Sequence, residues 1–413
     1  MPKADDTSEG VQLPHSSEQV AGSRTPRVRG VDAARGVALL GMLAVNVLPA
    51  ETANHGPTMT TMLLAGHAAA LFAVLAGVSL AFISGGRRRF QGRPLLAAKA
   101  GLAVRGVLIL GLGLLLGYAE PGPAIILAYY GVMFLLAVPL LGPPPWALVV
   151  IAVGSATLAP ALLLGLQGDL PTVQTDNATF TDIFEEPVGS AGLLTFTGFY
   201  PAVPWMAYIC AGMVIGRLNL SSRRSAARLL IGGVLLALLA WGVSAFLLGP
   251  AGGFGQLVAS SPGLAADDVS EVFVYGPDSG LHGGSWWWLA VMAPYSSMPL
   301  ELLHTIGMSA AVLGLVLLLG KAFDPIIGVL APAGSMTLTL YSAHLLFVST
   351  GFLGDRPFVS LAVQTGAAVI FAVVWHSTKG KGPLERPLGA LSEKARNRIR
   401  HRHREALDPA AAE

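Results

Sequence analysis

Ten windows of about 20 mostly apolar residues recur along the chain, each long enough to cross a hydrocarbon core about 30 Å thick as a helix. They are 31–50, 59–83, 95–117, 123–141, 146–166, 197–216, 229–249, 299–319, 329–350 and 357–376. Pro332 and Gly334 interrupt the ninth in its first turn. Composition removes the alternatives. Hydrophobic residues make up 53% of the 413 and charged residues 12%, against about 25% charged in an average soluble protein. Mean hydropathy is +0.62. Too few charges are present to cover a soluble surface of this size, and disorder, a coiled coil and a disulfide scaffold fall for the same reason. The single cysteine, Cys210, has no partner for an intramolecular disulfide. The expected fold class is an all-α polytopic membrane protein of about ten transmembrane helices.

Orientation follows from Lys and Arg. With the amino terminus in the cytoplasm, the basic residues fall in the first tail, the 84–94 loop (Arg87, Arg88, Arg89, Arg93) and the 217–228 loop. Others fall at Lys321 and in the tail from Lys379 to Arg404, and only Arg356 lands outside. The outer loops 167–196 and 250–298 carry acids and no Lys or Arg. Both termini are then cytoplasmic, in a multi-pass protein of the plasma membrane. Trp286, Trp287 and Trp288 fall at the outer interface. The expected domains are a disordered tail over 1–26, a transmembrane domain over 27–391 and a basic tail over 392–413, whose Arg396 to Arg404 suit an anionic inner leaflet. A cleaved signal peptide is the competing reading of the first window. Its length, Asp32 and Arg35 within it, and the lack of a clean A-x-A site argue against that. The net charge of +2 gives no support for nucleic-acid binding; a homodimer is compatible with the sequence.

An ionisable group inside a spanning helix costs roughly 2.5–3.5 kcal/mol on insertion scales, so each one needs a reason. Asp32, Arg35, Leu39, Met42 and Asn46 step by three and four residues and share one face of the first helix. A locking salt bridge and a helix-gluing Asn explain them as well as chemistry does. His55 falls in the first outer loop, and His67 in the outer third of the second helix. His304 follows Glu301 by one turn, and His344 follows Tyr341 by one turn. Four imidazoles at similar depth, with a carboxylate and a phenol, are groups that general acid–base chemistry uses. Each also serves as an ordinary packed, hydrogen-bonded residue. No H-x-x-x-H or H-E-x-x-H spacing appears, and no metal is expected. Arg105 lies near mid-depth in the third helix with Lys99 below it, and a mid-membrane Arg points to a water-filled cavity or an anionic ligand. Gly111, Gly113 and Gly117 read as helix packing and not as a phosphate loop.

The first span, Arg29-Gly-Val-Asp32-Ala-Ala-Arg35-Gly36 through Met42 to Asn46, resembles the opening of the heparan-α-glucosaminide N-acetyltransferase catalytic domain. It is equally similar to that domain's bacterial YeiB-like relatives, a family of largely unknown function. Leu71-Phe-Ala-Val-Leu-Ala-Gly77-Val-Ser79 is similar to the F-x-x-x-x-G segment that follows in both. Gly334-Ser-Met-Thr-Leu-Thr339-Leu-Tyr341-Ser and Gly382-Pro383-Leu384-Glu385 resemble the carboxy-terminal signature of the YeiB-like proteins. The likeness frames the chain at 29–85 and 330–390.

The resemblance implies transfer of an acetyl group from cytosolic acetyl-CoA to an amino sugar, or another envelope glycan, across the membrane. It ties catalysis to an Asn closing the first span, matched by Asn46, and to a His in the next loop, matched approximately by His55. More distant membrane O-acyltransferases open with a similar Asp-x-x-Arg-Gly but carry a His where Asn46 stands. On this reading Asn46, His55 and the His304/Glu301 pair act on the acceptor. Arg105, Lys99, Arg35 and Asp32 meet the donor, and His67, Tyr341 and His344 are substrate-facing or structural. The rival reading is a transporter or flippase for a small anion or lipid-linked intermediate, since polar groups at two depths and a broken ninth helix suit a translocation path equally.

Overall fold

Each of the ten windows holds a helix in the computed structural model, which describes residues 29–166, 175, 177–261, 263, 265–277, 285–320 and 322–407, with side chains to Arg400. The stretches 1–28 and 408–413, Lys321 and the loop positions 167–174, 176, 262, 264 and 278–284 lie outside the described residues. In chain order the first helices are α1 (Arg29–Val47), α2 (Met59–Leu64), α3 (His67–Ile83), α4 (Gly92–Gly117), α5 (Ile126–Ala137) and α6 (Pro145–Gly165). Short α7 (Phe180–Glu185) and α8 (Pro187–Gly192) lead to α9 (Ala202–Gly216) and α10 (Arg223–Leu248). Then come α11 (Gly253–Ser260), α12 (Ala266–Tyr275), α13 (Pro299–Leu319), α14 (Asp324–Ser335), α15 (Thr337–Ser349), α16 (Pro357–Lys379) and α17 (Glu385–Leu407). No strand forms among the described residues; an isolated bridge between Glu51 and Pro57 closes the loop after α1.

Among the described residues seven helices are long and apolar enough to span a membrane, taking Met59–Ile83 as one, and two bent pairs raise the number to nine. The chain is a multi-pass membrane protein. The expected count of ten is not reached, because the fourth window forms only the 12 residues of α5, about 18 Å of helix. Pro121 and Pro123 precede α5, and Pro139 and Pro143–Pro145 follow it; none can donate a backbone hydrogen bond, so the helix stops short at both ends. Nine of its residues are buried, which makes it an internal helix packed between α4 and α9. Its apolar composition reflects protein, not lipid, around it.

Small residues set the closest crossings. A side chain on Gly77 would meet the carbonyl of Ile209, and one on Gly212 the carbonyl of Val74, so α3 and α9 pack backbone to backbone. Gly113 faces the backbone of Leu127 and Ala128 in the same manner. By contrast α6, α10 and α16 are mostly exposed, showing Val150, Leu158, Leu235, Leu239, Phe358 and Ile370 to their surroundings, as helices facing lipid do.

The ninth window is interrupted as expected, but after Ser335, past its first turn. Pro332 withholds one N–H from α14, and α14 and α15 meet at a bend of 76°. Two expectations change. Residues 392–407, expected from the sequence to form a basic tail, continue helix α17, which packs along α4. Trp288 is fully buried beside Leu257 and Val269, and only Trp286 of the three tryptophans is largely exposed, at 59%.

Candidate active site

A cavity of about 1070 Å³ runs into the bundle between α1, α3, α4, α5, α15 and α17. One end is basic, with Arg87 and Arg88 from the α3–α4 turn and Lys381 from the α16–α17 turn on its wall, beside Asn219 and Ser221. Deeper, the lining turns apolar, with Met42, Phe72, Ile109, Ile126 and Phe134.

Two charged groups mark the transition. Arg35 pairs with Asp32 at 2.7 Å and also donates to Ser79 Oγ, so the face expected on α1 exists and reaches across to α3. Arg105 stands over the Phe134 ring at 5.9 Å. Its Nε and the Tyr130 hydroxyl, both on the cavity wall, are buried without a hydrogen-bond partner, a costly state unless a polar group enters beside them. Lys99 is half-buried on α4 but is not among the cavity's lining residues. Arg396 of α17 lies against Gly101 of α4; burial pulls its guanidinium below the ordinary value, and Glu393 opposes that.

At the deep end the lining includes Tyr341, which neighbours the Asn46 side chain and the Ile126 backbone. Asn46 Nδ2 lies 3.2 Å from His344 Nε2, and His344 Nδ1 lies 2.6 Å from Gln364 Oε1. Gln364 Nε2 in turn donates to Ser360 Oγ at 3.0 Å. The chain of bonds fixes the tautomer. Gln364 Oε1 only accepts, so His344 Nδ1 carries the proton and Nε2 is left with its lone pair toward the Asn46 amide. An imidazole oriented through one nitrogen and basic at the other, beside an amide donor, is equipped for proton transfer.

The remaining expected residues lie elsewhere. His55 is at the tip of the loop after α1, 92% exposed and 3.5 Å from Glu51; the imidazole that meets Asn46 belongs to His344. Glu301 is buried and accepts from Tyr208 at 3.3 Å, while Tyr208 also meets Thr305 at 2.8 Å. His304 faces away from that carboxylate network: its Nδ1 bonds Ala237 O at 3.0 Å and its ring packs edge-on to His67 at 5.5 Å. His67 Nδ1 bonds Ala65 O. The sequence reading passed over Gln364 and Tyr130. Gln364 is a polar residue inside an apolar span, and extending the same criterion to uncharged amides finds it.

Glu385 also reaches the cavity wall. It accepts from the Thr339 N–H at 3.1 Å and the Thr339 hydroxyl at 2.6 Å, and the Leu384 N–H donates back to Thr339 Oγ1 at 3.0 Å. The two separate stretches of the carboxy-terminal signature are thus one physical unit.

No curated protein matches the chain. A profile described as "Heparan-alpha-glucosaminide N-acetyltransferase, catalytic" matches residues 27–244, just over half of the 413 residues. The matched stretch holds Asp32, Arg35, Asn46, His55 and Arg105, while Tyr341, His344, Gln364 and Glu385 lie beyond it. The chain belongs to the heparan-α-glucosaminide N-acetyltransferase catalytic family, a family of membrane acetyltransferases.

Proposed function

We propose that this protein transfers an acetyl group from cytosolic acetyl-CoA to an amino sugar or related glycan on the far side of the plasma membrane, with the basic end of the bundle in the cytoplasm. The observation that carries the reading is a single cavity leading from Arg87, Arg88 and Lys381 past Arg105 to Tyr341, the neighbour of the Asn46–His344 pair. Cationic groups at the mouth and at mid-depth suit a phosphate-bearing donor. The unpartnered Arg105 Nε and Tyr130 hydroxyl give such a donor buried groups to satisfy.

The donor's thioester supplies the activated acetyl group, and the rest falls to side chains. His344 Nε2 takes a proton from the acceptor amine as its nitrogen bonds to the acetyl carbon and the carbon–sulfur bond breaks. The sulfur leaves with the bonding electron pair, and the proton on His344 neutralises it. Asn46 Nδ2, turned from His344 to the acetyl oxygen, donates to the negative charge that develops there, a role in which one donor contributes about 2.7–4 kcal/mol. Gln364 holds the ring through Nδ1 throughout. His55, His304 and Glu301 are not needed for this step.

The test is transfer of radiolabel from acetyl-CoA to glucosamine by purified protein in liposomes. Label on the sugar with the wild type, lost in Asn46→Ala, is the expected result; a rate unchanged by Asn46→Ala overturns the role given to that residue.

A further inference from the structure

The interrupted ninth span poses a mechanical problem. Tyr341 and His344 both ride on α15, yet the 76° bend after Ser335 separates α15 from α14, so no continuous ladder of helix hydrogen bonds fixes its position from that side. The first N–H groups of α15 also need acceptors, because a helix start has no preceding turn to supply them.

The α16–α17 arm answers the first need and supplies an acceptor for one of these N–H groups, that of Thr339. Glu385, the first residue of α17, caps α15 from a distant part of the chain: its carboxylate takes the Thr339 N–H and the Thr339 hydroxyl. A carboxylate at a helix start is favoured by the helix dipole as well. Thr339 answers by accepting the Leu384 N–H. The turn between the helices is itself pinned, since Trp375 Nε1 donates to Lys381 O at 3.0 Å and Arg386 donates to Lys379 O. A side chain at Gly382 would strike the Glu385 carboxylate and Met336, so the turn closes tightly on the break. The same arm holds α15 a second time through the bond between Gln364 of α16 and His344.

We infer that the α16–α17 arm is a splint for the broken span, and that Glu385 and Thr339 are positioning residues that set the register of α15 and so place Tyr341 and His344 against Asn46. The inference rests on the acetyltransferase reading above. Thr339 stands two residues before Tyr341 and five before His344, so a slip at the latch is carried directly to both.

The experiment compares Thr339→Val, which keeps the shape and removes the hydroxyl, with Thr339→Ser, which keeps the hydroxyl. Acetyl transfer to glucosamine in liposomes and amide hydrogen exchange over 337–344 are read on both. In Thr339→Val kcat is expected to fall by about 10- to 100-fold, the scale of a misplacement near 1 Å. Its KM for acetyl-CoA should stay within about twofold, and Thr339→Ser should recover kcat to within about threefold. Exchange over 337–344 rises in Thr339→Val and Glu385→Ala but not in Thr339→Ser. A Thr339→Val enzyme with wild-type kcat, or one altered in KM alone, overturns the splint. If the wild-type protein transfers no label, the acetyltransferase reading fails by itself. The latch is then judged on exchange, where unchanged protection in both Thr339→Val and Glu385→Ala refutes it.

Discussion

Asn46 has two neighbours that differ in what they do with a proton. The Tyr341 phenol belongs to the cavity wall, whereas the His344 imidazole presents a lone pair and is backed by Gln364. Of the two, only the imidazole has a ring nitrogen free to take up a proton as a general base. Replacing His344 by Ala is therefore expected to lower kcat for acetyl transfer about 100-fold or more, within the range for losing a general base. His55→Ala should leave the rate within about threefold, as an exposed side chain paired only with Glu51 has little to lose. Steady-state rates of the two variants side by side check this. A dead His55→Ala with an active His344→Ala would return catalysis to the loop histidine that the family likeness points to. The sequence placed Asn46 and His344 at similar depth but left their meeting open, because depth along a helix says nothing about which faces of α1 and α15 touch.

At the level of elements, the same sequence cues succeeded or failed according to what surrounds each helix. Pro332 and Gly334 flagged the ninth window as interrupted, and the break between α14 and α15 falls just after them, at Met336. The shortness of α5 was hidden, since a hydropathy window counts apolar residues alike whether lipid or protein covers them; 126–137 are covered by α4 and α9. Helix α17 was hidden for the opposite reason. Its polar composition fits a solvated tail as well as a surface helix, and only its seat on α4, with Arg396 against Gly101, decides between them. Gly334 tests the packing of the break. It faces the backbone of Asp32 and Gly36, so Gly334→Ala must push α14 from α1, at a cost of about 1–3 kcal/mol by overpacking. Thermal unfolding in detergent should show a lowered midpoint; an unchanged one would mean that the two helices separate freely.

For the whole molecule, the small net charge of +2 hides a separation that the fold turns into a site. Arg87, Arg88 and Lys381 gather from two different turns at one mouth, and Arg105 waits further in. Losing Arg105 removes the charge nearest the middle of the path. Arg105→Gln is expected to weaken acetyl-CoA binding about tenfold or more, the worth of a hydrogen bond to a charged group, measured as a smaller acetyl-CoA-induced rise in melting temperature. A transporter of small anions would share the basic mouth but would have no use for an imidazole held in one tautomer beside an amide.

That difference sets the decisive measurement. Protein is reconstituted in liposomes in one orientation, with labelled acetyl-CoA on the side of Arg87 and Arg88 and glucosamine on the other. Covalently labelled sugar should form with the wild type, fail to form when the two compartments are exchanged, and be absent with His344→Ala. Intact labelled acetyl-CoA or free acetate crossing to the sugar side with no labelled sugar, or equal transfer in both arrangements, would contradict a donor cavity that opens at the basic end and reaches Tyr341, beside Asn46 and His344.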